Sequence, residues 1–203
     1  QQINSIVEYR SNFESLSDKD RTPSYFAEEI NVTADAVMKK VNEGKALVFC
    51  LLSDSHYTVN GTWQTTMKNI KSVNEKIGFD GIIHLGDLQD GMLDKSMCRR
   101  IANSCINDMC QINDKVYLAI GNHDTNYFKG NPEWLTTEEQ YGIYGRFNDS
   151  YVRREGVNGY YYTDFDNVGM RMLVLTSFDH RQALRYGFSD EELKWVKETL
   201  AAT

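Results

Sequence analysis

Three short polar segments of this 203-residue chain carry side chains that bind hard metal ions or move protons: Asp54-Ser55-His56, Gly86-Asp87 and Gly121-Asn122-His123-Asp124. Each follows an apolar run of strand length. On an extended backbone, residues i and i+2 point the same way, so Asp54 and His56 can serve one ion. A glycine permits a sharp turn before Asp87. A carboxylate there can give one oxygen to each of two cations about 3.5–4 Å apart, the spacing of two-metal hydrolysis. Asn122 offers a neutral carbonyl ligand. His123, kept off the metal, could donate a proton or a hydrogen bond to a leaving oxygen, and Asp124 could orient that imidazole and raise its pKa. Taken singly, each segment also reads as an ordinary turn or helix cap. Their joint occurrence at three strand ends describes one metal site assembled by a sheet. Asp90 reads as an exposed turn carboxylate, with support from behind the ligands as the alternative.

The elements that would position these residues follow from apolar spacing. Residues 1–30 are polar and aperiodic with Pro23 as a breaker, and a short helix carrying Val37, Met38 and Val41 follows, ending at Gly44. These make residues 1–45 an N-terminal arm and residues 46–203 the main domain. Ala46–Leu52 is a continuous apolar run suited to a strand covered on both faces. Trp63–Ile77 is helical by period and closed by Gly78. Gly81–Leu85 and Val116–Ile120 are strands, and residues 93–112 a helix with Cys98, Ile101, Cys105 and Met109 as its inner stripe. The order β-α-β-α-β implies parallel strands joined by crossover helices, in which ligands collect at the carboxyl ends.

The later part of the chain changes character. Thr137 to Gln140 reads as a capping box, and Tyr160–Phe165 and Met170–Thr176 as two strands of a hairpin. A second capping box, Ser189 with Glu192, opens a last helix. Phe188 and Leu193 are its expected staple, and Leu193, Val196 and Leu200 its expected buried stripe.

Composition narrows the function classes. At 41% hydrophobic and 25% charged residues, the chain is that of an ordinary globular domain with a real core. A net charge of -7 gives no basic field for nucleic acid, so a nuclease has no support. No apolar run reaches membrane-spanning length. Cys50, Cys98, Cys105 and Cys110 fit no paired zinc pattern and read as reduced thiols, which slightly favours the cytoplasm.

The ordered set Asp-x-His, Gly-Asp and Gly-Asn-His-Asp resembles the calcineurin-like metallophosphoesterases, from about Ala46 to the C-terminus. The resemblance implies an α/β fold in which two facing β-sheets are flanked by helices (αββα). It implies two divalent metal ions of Mn, Fe or Zn type. Asp54 and His56 would bind the first, Asp87 would bridge both, and Asn122 would bind the second. A metal-bridged hydroxide would attack phosphorus, with His123 assisting the leaving group and Asp124 behind it. The substrate would be a small phosphate mono- or diester.

The family pattern continues with a lone His and a Gly-His-x-His segment, which this sequence does not contain. His84 lies inside a strand, in a core or supporting role, and His180 reads as a loop residue near the site. Two hydrolytic ions take about eight or more coordination positions, more than the four named ligands fill. The domain is therefore expected to be incomplete at its C-terminus, to hold the second ion poorly and to be inactive alone. The competing class is a non-catalytic interaction domain that keeps the fold. Loop residues Tyr57, Asn60, Trp63, Tyr127, Phe128, Lys129, Trp134, Arg181 and Arg185 surround the strand ends. Some could stack a base or sugar, and most are expected to be packing or solvated residues.

Overall fold

Helices here follow the three-to-four-residue apolar spacing, and strands the short apolar runs between glycines. The computed structural model describes residues 26–44, 46–179 and 185–202. The chain forms α1 (Ala27–Asn42), β1 (Phe49–Leu52), a single turn α2 (Tyr57–Asn60), α3 (Trp63–Ile77), β2 (Gly81–His84), α4 (Lys95–Ile112) and β3 (Val116–Leu118). A short α5 (Thr137–Gln140) runs into a π-helical turn, and β4 (Tyr161–Phe165), β5 (Met170–Val174) and α6 (Asp190–Ala201) follow.

Strands β1, β2 and β3 form one parallel sheet in that order. Leu52 pairs with His84, and His84 with Leu118, so the three carboxyl ends finish level. Strands β4 and β5 form an antiparallel hairpin. Side-chain alternation along the first sheet then builds two layers of core. Ile82, Val116 and Leu118 face α3 and α4, where Met67, Ile70, Cys98, Ile101, Cys105 and Met109 are buried. The stripe expected on residues 93–112 is therefore the core stripe of α4, and burying an aliphatic side chain of this kind stabilises by about 1.5–3 kcal/mol. Phe49, Ile83 and Tyr117 face the second sheet, against Tyr161, Met172 and Val174. Helix α6 covers the far side, with the Trp195 ring 4.9 Å from that of Tyr160 and 6.3 Å from that of Tyr162. Helices, parallel sheet, antiparallel sheet and helix thus stack in the αββα order that the resemblance implies.

Several expectations give way. Helix α1 begins at Ala27, inside the stretch read as aperiodic, because Ile30 and Ala34 are both buried; Val37, Met38 and Val41 are only partly covered. Strand β1 is not covered on both faces: the two-stranded second sheet reaches Phe49, while Leu51 is 62% exposed. The capping box of α5 is Thr136 with Glu139, one residue earlier than read. In α6 the Ser189 hydroxyl accepts from the Glu192 N–H, but the Glu192 carboxylate accepts from the Thr176 N–H, 2.7 Å away, instead of closing a box. That bond turns the helix. Glu192, Trp195 and Thr199 face inward, while Leu193, Leu200 and Phe188 are exposed. All four cysteines are free. Among the described residues, no helix is long and apolar enough to cross a membrane. Pro23, His180 and Arg181 lie outside the described residues.

Candidate metal centre

The parallel pairing of β1 and β2 does not stop at the strand ends. Past them, the N–H groups of Asp54, His56 and Tyr57 donate to the carbonyls of Gly86, Asp87 and Leu88 at 3.0, 3.0 and 3.2 Å. The first two polar segments are thus zipped together by main chain. The third is fastened to the second by two carboxylates. Asp124 accepts from the N–H groups of Asp87, Leu88 and Gly121 at 2.8, 2.9 and 2.9 Å. In return, Asp87 Oδ1 accepts from the His123 N–H at 2.9 Å.

This fastening explains the glycines. A Cβ on Gly121 would overlap the Asp87 carboxylate, and one on Gly86 (φ +104°) would lie 2.7 Å from the Gly121 Cα. Asp54, His56 and Asp87 themselves have φ of 51°, 40° and 55°. For a side-chain-bearing residue that conformation costs about 1–3 kcal/mol and persists only where surrounding bonds enforce it.

The side chains converge on Asp87. His56 Nε2 is 4.0 Å from Asp54 Oδ1 and 3.9 Å from Asp87 Oδ2. Ligand atoms of His56, Asp87 and His123 all lie within 4.8 Å of one another. Mixed imidazole and carboxylate donors form a set that can hold a divalent metal ion. Asn122 shares with Asp54 and Asp87 a pocket of about 200 Å³, also lined by Leu175, Ser177, Phe178 and Tyr186. His123, expected to stand apart from the metal ligands, has its ring 4.8 Å from that of His56.

Asp90 is the residue that sequence reasoning undervalued. It is not an exposed turn carboxylate but 5% exposed. Its Oδ2 accepts from the Thr58 N–H at 2.9 Å, and its Oδ1 is 3.5 Å from His56 Nδ1. Its main-chain carbonyl is 2.7 Å from His123 Nδ1. His123 Nδ1 is thus hydrogen-bonded from behind, which leaves its Nε2 for an ion or a substrate, while the Asp90 carboxylate stands near His56 Nδ1 without a hydrogen bond. The i, i+3 spacing of Asp87 and Asp90 in one turn was the available signal. Asp124, expected behind His123, instead directs its carboxylate to the three N–H groups. Burial pushes its pKa up to about 7, against the lowering effect of the Gly121 N–H, with the Asp87 charge raising it further.

A cleft of about 800 Å³ adjoins the small pocket, and Phe178 and Tyr186 line both. The two residues are paired by a bridge on opposite limbs of a ribbon that leaves β5, with ring centroids 5.1 Å apart. Trp134, Tyr160, Glu138 and Arg185 also line the cleft. Of the loop residues singled out from sequence, Tyr57 and Trp63 belong to the core. The Asn60 amide donates to the carbonyls of Asp54 and Ser55.

No curated protein matches this chain. The family of calcineurin-like phosphoesterases, represented by its sequence profile, matches residues 47–202. That span opens just before β1 and carries all three polar segments with the sheet that presents them, so the chain is a member of the calcineurin-like phosphoesterase family.

Proposed function

We propose that this chain is a metal-dependent hydrolase of phosphate mono- or diesters. Asp54, His56, Asp87 and Asn122 are the metal ligands in this reading, and His123 assists the leaving group. The observation that carries it is the double membership of Asp87, which belongs to the imidazole cluster and to the pocket shared with Asp54 and Asn122. One carboxylate between two ligand sets is what a pair of ions requires. Two divalent ions of Mn, Fe or Zn type would supply Lewis acidity for the phosphoryl oxygens and a water of lowered pKa.

The chain's own groups do the rest. With its Nδ1–H donating to the Asp90 carbonyl, His123 in its imidazolium form would carry a second proton on Nε2 and donate it to the leaving oxygen, reverting to the Nδ1–H neutral ring. Asp124 holds the second and third segments together, so the ligands keep their spacing when substrate enters. The phosphate sits over the small pocket. The alcohol half extends past Phe178 and Tyr186 into the larger cleft, whose aromatic faces suit a ring-bearing alcohol.

The test is Mn-dependent hydrolysis of p-nitrophenyl phosphate and bis(p-nitrophenyl) phosphate. Asp87→Ala should abolish turnover, and His123→Ala should lower it by about 10²–10⁴. Equal activity in Asp87→Ala would remove that residue from the bridging role. Metal binding without hydrolysis would return the chain to the interaction-domain reading.

A further inference from the structure

The strained turn that aims Asp54 and His56 is held at its middle residue by a buried histidine from the neighbouring strand. Ser55 lies between two residues in left-handed conformation, with φ of 51° and 40°. Neither residue is a glycine, so local preference opposes the turn. On one side the Asn60 amide holds the carbonyls of Asp54 and Ser55. On the other, the Ser55 Oγ is 2.7 Å from His84 Nε2.

The direction of that bond can be deduced. The Gly86 N–H donates to His84 Nδ1 at 3.2 Å, so Nδ1 carries the lone pair. The neutral ring then bears its hydrogen on Nε2 and donates to the Ser55 hydroxyl oxygen. His84 is fully buried, and burial lowers its pKa to about 4, against the raising effect of the Asp54 charge, which keeps the ring in this neutral form. A donor at Nε2 cannot take a proton from Ser55, so the pair is no nucleophile with its base. One imidazole instead ties the first polar segment, at Ser55, to the second, at Gly86.

We propose that His84 is a positioning residue for the metal centre: through Ser55 it holds the backbone turn that points Asp54 and His56 at a common ion. The inference rests on the reading of those two residues as metal ligands. It is distinct from the roles of Asp90 and Asp124, which act on His123 and on the second and third segments.

Three variants separate donation from packing. His84→Gln places an amide nitrogen where Nε2 stands, so the bond to Ser55 survives. His84→Asn places an amide group where Nδ1 stands and loses Ser55. Ser55→Ala removes the acceptor. Titration of each with Mn²⁺ should show the dissociation constant raised about tenfold in Ser55→Ala and His84→Asn. The double variant should be no worse than either single one, and His84→Gln should stay within about twofold of the unmodified chain. A metal-independent reading is amide hydrogen exchange at His56, whose N–H donates to the Asp87 carbonyl. It should quicken in Ser55→Ala and His84→Asn and not in His84→Gln.

Equal damage in His84→Gln and His84→Asn would mean that His84 only fills space, and would overturn the proposal. Unchanged exchange and affinity in Ser55→Ala, which removes only a hydroxyl from a half-buried residue, would overturn it as well. If the unmodified chain binds no Mn²⁺, the metal-centre reading fails on that result. The exchange measurement then still decides whether His84 holds the turn.

Discussion

Asp90 offers His123 and His56 two different atoms: its carbonyl oxygen lies 2.7 Å from His123 Nδ1 and its Oδ1 3.5 Å from His56 Nδ1. A carbonyl only accepts, so the His123 proton is fixed on Nδ1. One buried residue therefore sets the working face of His123 and places a carboxylate beside His56. Removing its side chain in Asp90→Ala leaves the main-chain contact to His123 intact, but takes the carboxylate from beside His56 and the acceptor from the Thr58 N–H. Mn²⁺ affinity should fall by about 10–100-fold, read by calorimetric titration. An unchanged affinity would show that His56 needs no such support.

Gly121 tests the fastening between segments. Its φ is not left-handed, so alanine there is opposed by space alone. The added methyl displaces the Asp87 carboxylate and its bond to the His123 N–H. Gly121→Ala should lower the unfolding free energy by about 1–3 kcal/mol, as overpacking does. The same variant should bind Mn²⁺ at least about tenfold more weakly, a loss of the size seen when support behind metal ligands is removed. Urea unfolding and metal titration on one preparation check both.

The pH dependence of stability has a definite sign at His84. Its pKa falls from the ordinary 6.5 to about 4, because burial disfavours the charged ring. The unfolded chain takes up this proton at higher pH than the native chain does. The contribution is therefore complete above 6.5 and is lost as pH falls through 6.5 toward about 4. Between about pH 7 and pH 5 the loss comes to roughly 2 kcal/mol. His84→Gln cannot titrate, so the difference between its urea-unfolding curve and that of the unmodified chain should change by this amount. A difference that stays flat with pH would contradict a neutral buried ring.

The inward face of α6 gives a prediction about packing. Trp195 is buried against Tyr160 and Tyr162, whereas Leu193 and Leu200 are exposed. Trp195→Ala should cost about 3–5 kcal/mol. Leu193→Ser and Leu200→Ser should stay within about 0.5 kcal/mol. Thermal or urea unfolding of the three variants distinguishes this face from the one read off the sequence.

What could be read without coordinates was whatever is local or periodic. Trp63–Ile77 ran to its observed ends because its apolar spacing and Gly78 both mark it. The three polar segments stood out because glycine, carboxylate and imidazole recur after strand-like runs. Features fixed by partners distant in sequence were not legible. The rotation of α6 depends on Glu192 reaching Thr176. The orientation of Asp124 depends on N–H groups 36 and 37 residues away. Asp90 looked exposed because burial beneath two imidazoles is a tertiary fact. Ser55 drew no role from its neighbours in sequence, since the histidine that meets it lies 29 residues on.

Beyond β5, Phe178 and Tyr186 line both cavities, and among the described residues of that segment none belongs to the His56, Asp87 and His123 group. On the proposed reading, admission of an ester and its hydrolysis would draw on different residues. Exchange of either ring should then change which esters are hydrolysed while leaving Mn²⁺ affinity unaltered. Diversification of such a scaffold toward new esters can begin at this wall without first dismantling the reaction centre.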